Sequence, residues 1–202
     1  SVDAAGEHHL FRFAGGRGLH SHLGMGGSGR LSTAQRVPTT RRLWLAVWTD
    51  QHVVAQYGGP QLRLYEPNEP IPMLRGLGTD LLNADADPAE ATARALAAID
   101  PGRAVGEALM DQRVVSGIGN VYRSEVLWAC ELHPFAPIGD ISEALARRLV
   151  NVATRLLRAN LTHAEQVALP GVPGGLGVYG RTGQGCFRCA DTVRARHRAG
   201  PD

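Results

Sequence analysis

Residues 110 to 134 read Met-Asp-Gln-Arg-Val-Val-Ser-Gly-Ile-Gly-Asn-Val-Tyr-Arg-Ser-Glu-Val-Leu-Trp-Ala-Cys-Glu-Leu-His-Pro. The pattern predicts a helical run over 103–113, a Gly-Ile-Gly-Asn turn, and a second helix over 121–131. Gly117 and Gly119 supply backbone conformations that side-chained residues resist. They also clear bulk from the turn, so a phosphate can approach exposed amides at the start of the next helix. Asn120 adds a side-chain donor, and Arg113 and Arg123 flank the turn with positive charge.

Outward from this stretch the hydrophobic period changes. Residues 8–13 and 17–25 read as strands joined by Ala14-Gly15-Gly16, with Leu19, Ser21 and Leu23 alternating with His20 and His22. Gly24 to Arg36 is rich in glycine and serine and reads as a loop. Residues 43–49, 52–57 and 61–66 read as further strands separated by polar or glycine turns. Pro67 to Pro72 is a connector. Asp87 is placed to cap a helix opened by Pro88 and running to Ile99. A last helix, 142–160, carries Leu145, Leu149, Val152, Leu156 and Leu157 along one face. Pro170 to Gly177 is a Pro/Gly segment, and residues 178–202 form a small basic module.

Composition narrows the class. In 202 residues, hydrophobic content is 44% and charged content 20%, an ordinary globular balance. No apolar run approaches the roughly 20 residues that span a bilayer, and no secretory signal opens the chain. The three cysteines do not make a disulfide framework and suit a reducing cytosol with a metal site. Residues 1–100 hold nine arginines against ten acids, and residues 101–202 hold twelve against nine, so the basic excess lies in the half with the glycine turn. All basic residues are arginine. Arginine suits bidentate phosphate contacts but cannot serve as an amine nucleophile, which leaves only the Ser1 amine for Schiff-base chemistry. His20 and His22 face one side of a strand, compatible with chelation, and are read as structural.

The stretch 110–134 resembles the helix–two-turn–helix of the formamidopyrimidine-DNA glycosylase / endonuclease VIII family, which excises oxidised bases from DNA. Gly18-Leu-His-Ser-His-Leu-Gly-Met25 is similar to the family's strand end before its damage-probing loop. Val178-Tyr-Gly-Arg-Thr-Gly-Gln-Gly-Cys-Phe-Arg-Cys189 is similar to the first half of its zinc-finger hairpin. The resemblance covers essentially the whole chain. It implies an α+β fold: a partial antiparallel β-sandwich (1–72), a helical helix–two-turn–helix domain (73–170) and an incomplete zinc-finger hairpin (171–202). It implies base-excision repair by a DNA glycosylase and AP lyase acting on double-stranded DNA with a damaged base or abasic site, as a monomer in the bacterial cytoplasm at the nucleoid.

Carried over residue by residue, the resemblance implies that Met25 enters the duplex as an apolar wedge. The turn Gly117 to Asn120, with Gly119 and Arg113, holds phosphates. Tyr179 and Arg181 either touch the DNA backbone or form a hairpin pair. Cys186 and Cys189 have a spacing that presents thiolates to one zinc. Two thiolates do not close a tetrahedral site. Cys130 reads as core and His197 as solvated tail, so no stable structural zinc is expected in this chain. The family's catalytic N-terminal Pro-Glu pair has no counterpart, so no catalytic residue is assigned and the chain is expected to be truncated at both ends. Glu7, in Gly6-Glu7-His8, stands where the family usually has a lysine; a one-residue slip that brings His8 or His9 there is the alternative. Two functions remain open: a piece of a working glycosylase, or an inert DNA-binding paralogue.

Overall fold

The computed structural model describes residues 1–33, 40–82, 88–162 and 165–196. The chain forms two compact units, Ser1–Gly76 and Leu77–Asp202.

The first unit contains β1 (Val2–Ala5), β2 (His8–Arg12), β3 (Gly18–His22), β4 (Ser28–Thr33), β5 (Leu43–Trp48), β6 (His52–Tyr57) and β7 (Gln61–Tyr65). They make two antiparallel sheets, β1-β2-β3-β7 and β4-β6-β5. Leu10, Leu19, Val53, Ala55 and Tyr65 form its small apolar core. Ser21 Oγ donates to Gln56 Oε1 and links the two sheets through a buried hydrogen bond. Gly59, at φ +114°, lies where a Cβ would come within 2.9 Å of the His22 carbonyl, so the turn leaving β6 requires glycine.

One strand is added to those expected in this unit, and two readings are corrected. Val2–Ala5 is a strand, paired with β2 from Val2↔Phe11 to Ala5↔His8. Ser28–Thr33, expected within a loop, is strand β4, held by six residue pairs to β6. Its Ser-Gly-Arg-Leu-Ser-Thr composition has weak strand propensity, and pairing overrides it. The predicted alternation in β3 is absent, because Leu19, His20 and Ser21 are all buried. Both sides of this strand are covered, so period-2 exposure disappears.

The second unit contains β8 (Thr79–Asp80), α1 (Pro88–Ala97), α2 (Val105–Ala108), β9 (Val115–Ser116), α3 (Asn120–Ala129) and α4 (Glu143–Ala159). One apolar cluster, including Leu96, Val105, Leu109, Ile118, Val126, Leu149 and Val150, holds these elements together. Ser142 caps α4 by accepting from the Leu145 amide at 3.2 Å. The expected cap Asp87 lies outside the described residues.

The helix expected over 103–113 is one turn long. The Asp111 carboxylate accepts from the Arg113 amide at 3.1 Å, a local bond that competes with helix continuation. The β-branched pair Val114-Val115 then favours extended backbone. Thus strand β9, paired in parallel with β8, enters the glycine turn where a helix was expected.

A candidate nucleic-acid interface

Gly117 has φ +92°, a left-handed conformation that favours glycine. Gly119, at φ −102° and ψ −174°, is extended and caps α3; the expectation of unusual backbone there is corrected. No side chain caps α3, and no acid occupies its first turn. Its positive dipole end is therefore not countered by a local carboxylate. Asn120 is the first helical residue, and its carbonyl accepts from Ser124 Oγ at 2.9 Å.

The approach to the turn is pinned from several sides. The Gly78 amide donates to the Gln112 carbonyl at 2.7 Å, and Ser116 Oγ donates to the Gly78 carbonyl at 3.4 Å. The Gln112 side chain bridges the turn: Oε1 accepts from the Gly117 amide at 3.1 Å and Nε2 donates to the Ile118 carbonyl at 3.1 Å. Next to it, Asp111 receives Arg113 through Nε at 2.9 Å and a terminal nitrogen at 2.8 Å, and Arg103 at 2.9 Å. These guanidinium contacts, Arg113 first, hold the Asp111 carboxyl well below the usual range. Arg113 is exposed yet oriented, with much of its charge answered by Asp111.

Glu125 joins α3 to the tail. It is buried, and its carboxylate accepts from the amides of Gly177, Val178 and Tyr179 at 2.8, 2.9 and 2.8 Å. Sequence reading passed over Gln112, Asp111 and Glu125. Glu125 carried a signal: it falls three residues after Tyr122 and one before Val126 on the buried stripe of α3, where an acid demands partners.

Arg181 donates to Gln184 Oε1 and to the carbonyls of Gly177 and Gly185, at 3.1, 2.7 and 2.9 Å. Its guanidinium also lies 3.5 Å from the Phe187 ring centroid. It thereby shapes the tail hairpin, which closes through the Gly185↔Thr192 bridge. Tyr179 is half-buried beside it.

Cys186 Sγ accepts from the Arg188 amide and the Trp128 indole, both at 3.4 Å. Hydrogen bonds from the Arg188 and Cys189 amides and from Trp128 lower its thiol to about 7. Cys189 is exposed, and Cys130 is buried, with its thiol raised by that burial. Among the described residues no group of three or more His, Cys, Asp or Glu could hold a metal ion. Two thiols do not supply a closed tetrahedral zinc site, so Cys186 and Cys189 alone do not fit the family's metal. His197 lies outside the described residues.

In the first unit, Met25 is 83% exposed in the turn between β3 and β4. Glu7 is exposed, 3.4 Å from His22 Nε2. Behind it His8 and His20 are buried and share a hydrogen bond at 2.9 Å, and the His8 and His22 rings lie 4.6 Å apart. Burial, then the neighbouring histidines, lowers His8 to about 4, and His9 and His20 shift the same way. The structure thus places Glu7 and Met25 in one unit, and Arg113, Gly117, Gly119, Asn120, Tyr179, Arg181, Cys186 and Cys189 in the other.

Comparison with known proteins agrees with this architecture. The formamidopyrimidine-DNA glycosylase H2TH domain matches residues 77–169. A probable endonuclease 8 2 of Streptomyces coelicolor is 37% identical over 197 residues, covering 96% of this chain and 70% of that protein. The chain belongs to the formamidopyrimidine-DNA glycosylase / endonuclease VIII family. Another relative, the DNA-(apurinic or apyrimidinic site) lyase Nei2 of Mycolicibacterium smegmatis, is 34% identical over 188 residues, covering 92% of this chain and 72% of the other. The MutM (Fpg) protein of Thermus thermophilus matches with a TM-score of 0.73 at 28% identity, covering 97% and 76% of the two chains. Lactococcus lactis Fpg, solved with DNA containing an AP site, shares the fold with a TM-score of 0.77 at 23% identity, over 100% and 76%. The α+β expectation agrees with these family members, and no described helix is long and apolar enough to cross a membrane.

Proposed function

We propose that this protein acts in base-excision DNA repair as a DNA glycosylase and abasic-site lyase, and that residues 1–202 recognise damaged duplex DNA in the bacterial cytoplasm. The observation that carries the reading is the Gly117–Asn120 turn opening α3, a helix whose own first turn carries no acidic residue. Amides at a helix start bind phosphate oxygens well, because the donors and the dipole point at the same anion. Arg113 adds a charge beside the turn. Phosphate contacts fix register on the duplex without reading sequence.

Extruding a nucleotide leaves a gap in the stack, and the exposed Met25 is the side chain assigned to fill it. The working segments are 1–72 for the wedge and 73–170 for phosphate binding. Residues 171–202 present Tyr179 and Arg181. Bound zinc would brace that hairpin, and the thiols described here provide only Cys186 and Cys189 toward it.

Chemistry requires an amine nucleophile and a nearby carboxylate. The sequence contains neither a Pro-Glu dipeptide nor a lysine. A polypeptide of residues 1–202 is therefore expected to give no covalent adduct with abasic DNA under borohydride. A strong adduct would require a nucleophile within these residues. A second reading, a DNA-binding paralogue without chemistry, is favoured by Glu7, a carboxylate beside His22 where the family usually has lysine. The same trapping on protein from its native cell separates the two. An adduct supports the lyase; duplex binding without one supports the paralogue.

The binding reading is tested by Asn120→Ala. Loss of one charge-assisted contact of roughly 1.5 kcal/mol is expected to weaken binding to abasic duplex about tenfold. Unchanged affinity across a salt series would make the turn a helix connection only.

A further inference from the structure

We infer that Gln112 is a positioning residue for phosphate binding: its side-chain amide sets the conformation of the Gly117–Asn120 turn. The inference rests on reading that turn as a phosphate site. Three contacts converge on this residue. Oε1 accepts from the Gly117 amide at 3.1 Å, and Nε2 donates to the Ile118 carbonyl at 3.1 Å. The main-chain carbonyl accepts from the Gly78 amide at 2.7 Å, which ties the same residue to the chain entering β8.

The geometry assigns each bond a consequence. Gly117 sits at φ +92°, a conformation in which glycine has many alternatives of similar energy. A bond to its amide selects one of them. The second bond occupies the Ile118 carbonyl, keeping that acceptor, which would repel a phosphate, engaged with a donor. Ile118 itself is buried in the core, so the turn is anchored by its side chain below and by Gln112 across its backbone. The Gly117 amide is engaged by Gln112, so the anion falls to the amides at the start of α3, which a preorganised turn presents without the ordering loss that a loose loop incurs. Gln112 acts through the turn and not on the phosphate itself.

The test measures binding of the full chain to a fluorescent duplex carrying a tetrahydrofuran abasic analogue, over a salt series. It compares wild type, Gln112→Ala, Asn120→Ala and the double variant, with amide exchange at Gly117. Gln112→Ala is expected to weaken binding about tenfold, with faster Gly117 exchange. The salt slope should stay as in wild type, because no cation that neutralises a phosphate is removed. Adding it to Asn120→Ala should cost little more, because both act on one turn. A merely structural role would lower the melting temperature and leave the affinity of the folded protein unchanged.

If Asn120→Ala weakens binding while Gln112→Ala binds as wild type, the positioning role is overturned and the phosphate reading stands. If both bind as wild type, the phosphate reading falls and the inference falls with it. Should Gln112→Ala fail to fold, Gln112→Met keeps the side-chain volume and removes both hydrogen bonds. The same weakening and faster Gly117 exchange are expected of it, and wild-type binding by Gln112→Met overturns the proposal.

Discussion

Replacing Glu125 with alanine is expected to release the tail hairpin from α3 and to destabilise the second unit by about 4 kcal/mol. The carboxylate accepts three consecutive backbone amides, Gly177, Val178 and Tyr179, at 2.8 to 2.9 Å, and is 1% exposed. Hydrogen bonds to a charged acceptor each contribute roughly 1.5–3 kcal/mol, and buried amides left without a partner cost about 1–3 kcal/mol each. Their full sum is not reached, because a released segment exposes its amides to water. Packing is lost as well: a Cβ on Gly177 would lie 2.7 Å from the Trp128 ring, so the segment runs directly against that indole.

For a unit of this size the loss corresponds to a fall in melting temperature of about 15 °C. Amide exchange should accelerate at Gly177 to Tyr179 and at Cys186, whose thiol accepts from the same Trp128. Glu125→Gln keeps the volume and one acceptor oxygen and should show about half the loss. Unchanged melting together with unchanged exchange in Glu125→Ala would mean that the carboxylate does not hold the tail.

The second large effect is acid sensitivity of the first unit. His8 is 3% exposed and its pKa is lowered to about 4, chiefly by burial and then by His22, His20 and His9. Its ordinary value in an unfolded chain is about 6.5. The folded state therefore binds fewer protons than the unfolded state between these values. The stability contribution of neutral His8 is complete above about 6.5 and declines as pH falls toward 4. At up to 1.36 kcal/mol per pH unit, about 3 kcal/mol is lost across the window.

His9 and His20 are lowered in the same direction, so the decline is expected to be steeper than one proton gives. Among the described residues, Glu7 lies 3.4 Å from His22, and Arg63, whose guanidinium donates to Glu69, pairs through its backbone with His20 from β7. Exchange of the β2 and β3 amides at pH 7.5 and pH 5 reads the effect. Lower protection at pH 5, after correction for the intrinsic exchange rate, with the drop reduced in His8→Gln, is the expected result. Equal protection at both pH values would show that His8 is not held neutral by the fold.

Much of the architecture was legible in local pattern. Strands β2, β3, β5, β6 and β7 and helices α1, α3 and α4 all carry strong period or turn signals, and each formed close to its predicted span. The Gly-Ile-Gly-Asn turn was legible because a left-handed residue such as Gly117 leaves a mark in composition. Strand β4 was not, because its existence depends on β6, which lies about twenty residues along the chain. The 103–113 segment misled because apolar spacing reports a face to bury, whereas α2 stops at Ala108 and Asp111, beyond it, bonds locally to Arg113.

By itself the sequence determined the class of fold, the family, the glycine turn and the lack of a lysine nucleophile, because these are written in residue type and spacing. Only the tertiary structure decided what each polar side chain does. It committed Arg181 to three hairpin acceptors, Arg113 to Asp111, Gln112 to the Gly117–Ile118 backbone, and Glu125 to amides more than fifty residues away. Hydrogen-bond partners distant in sequence are chosen by packing, and no local period records that choice.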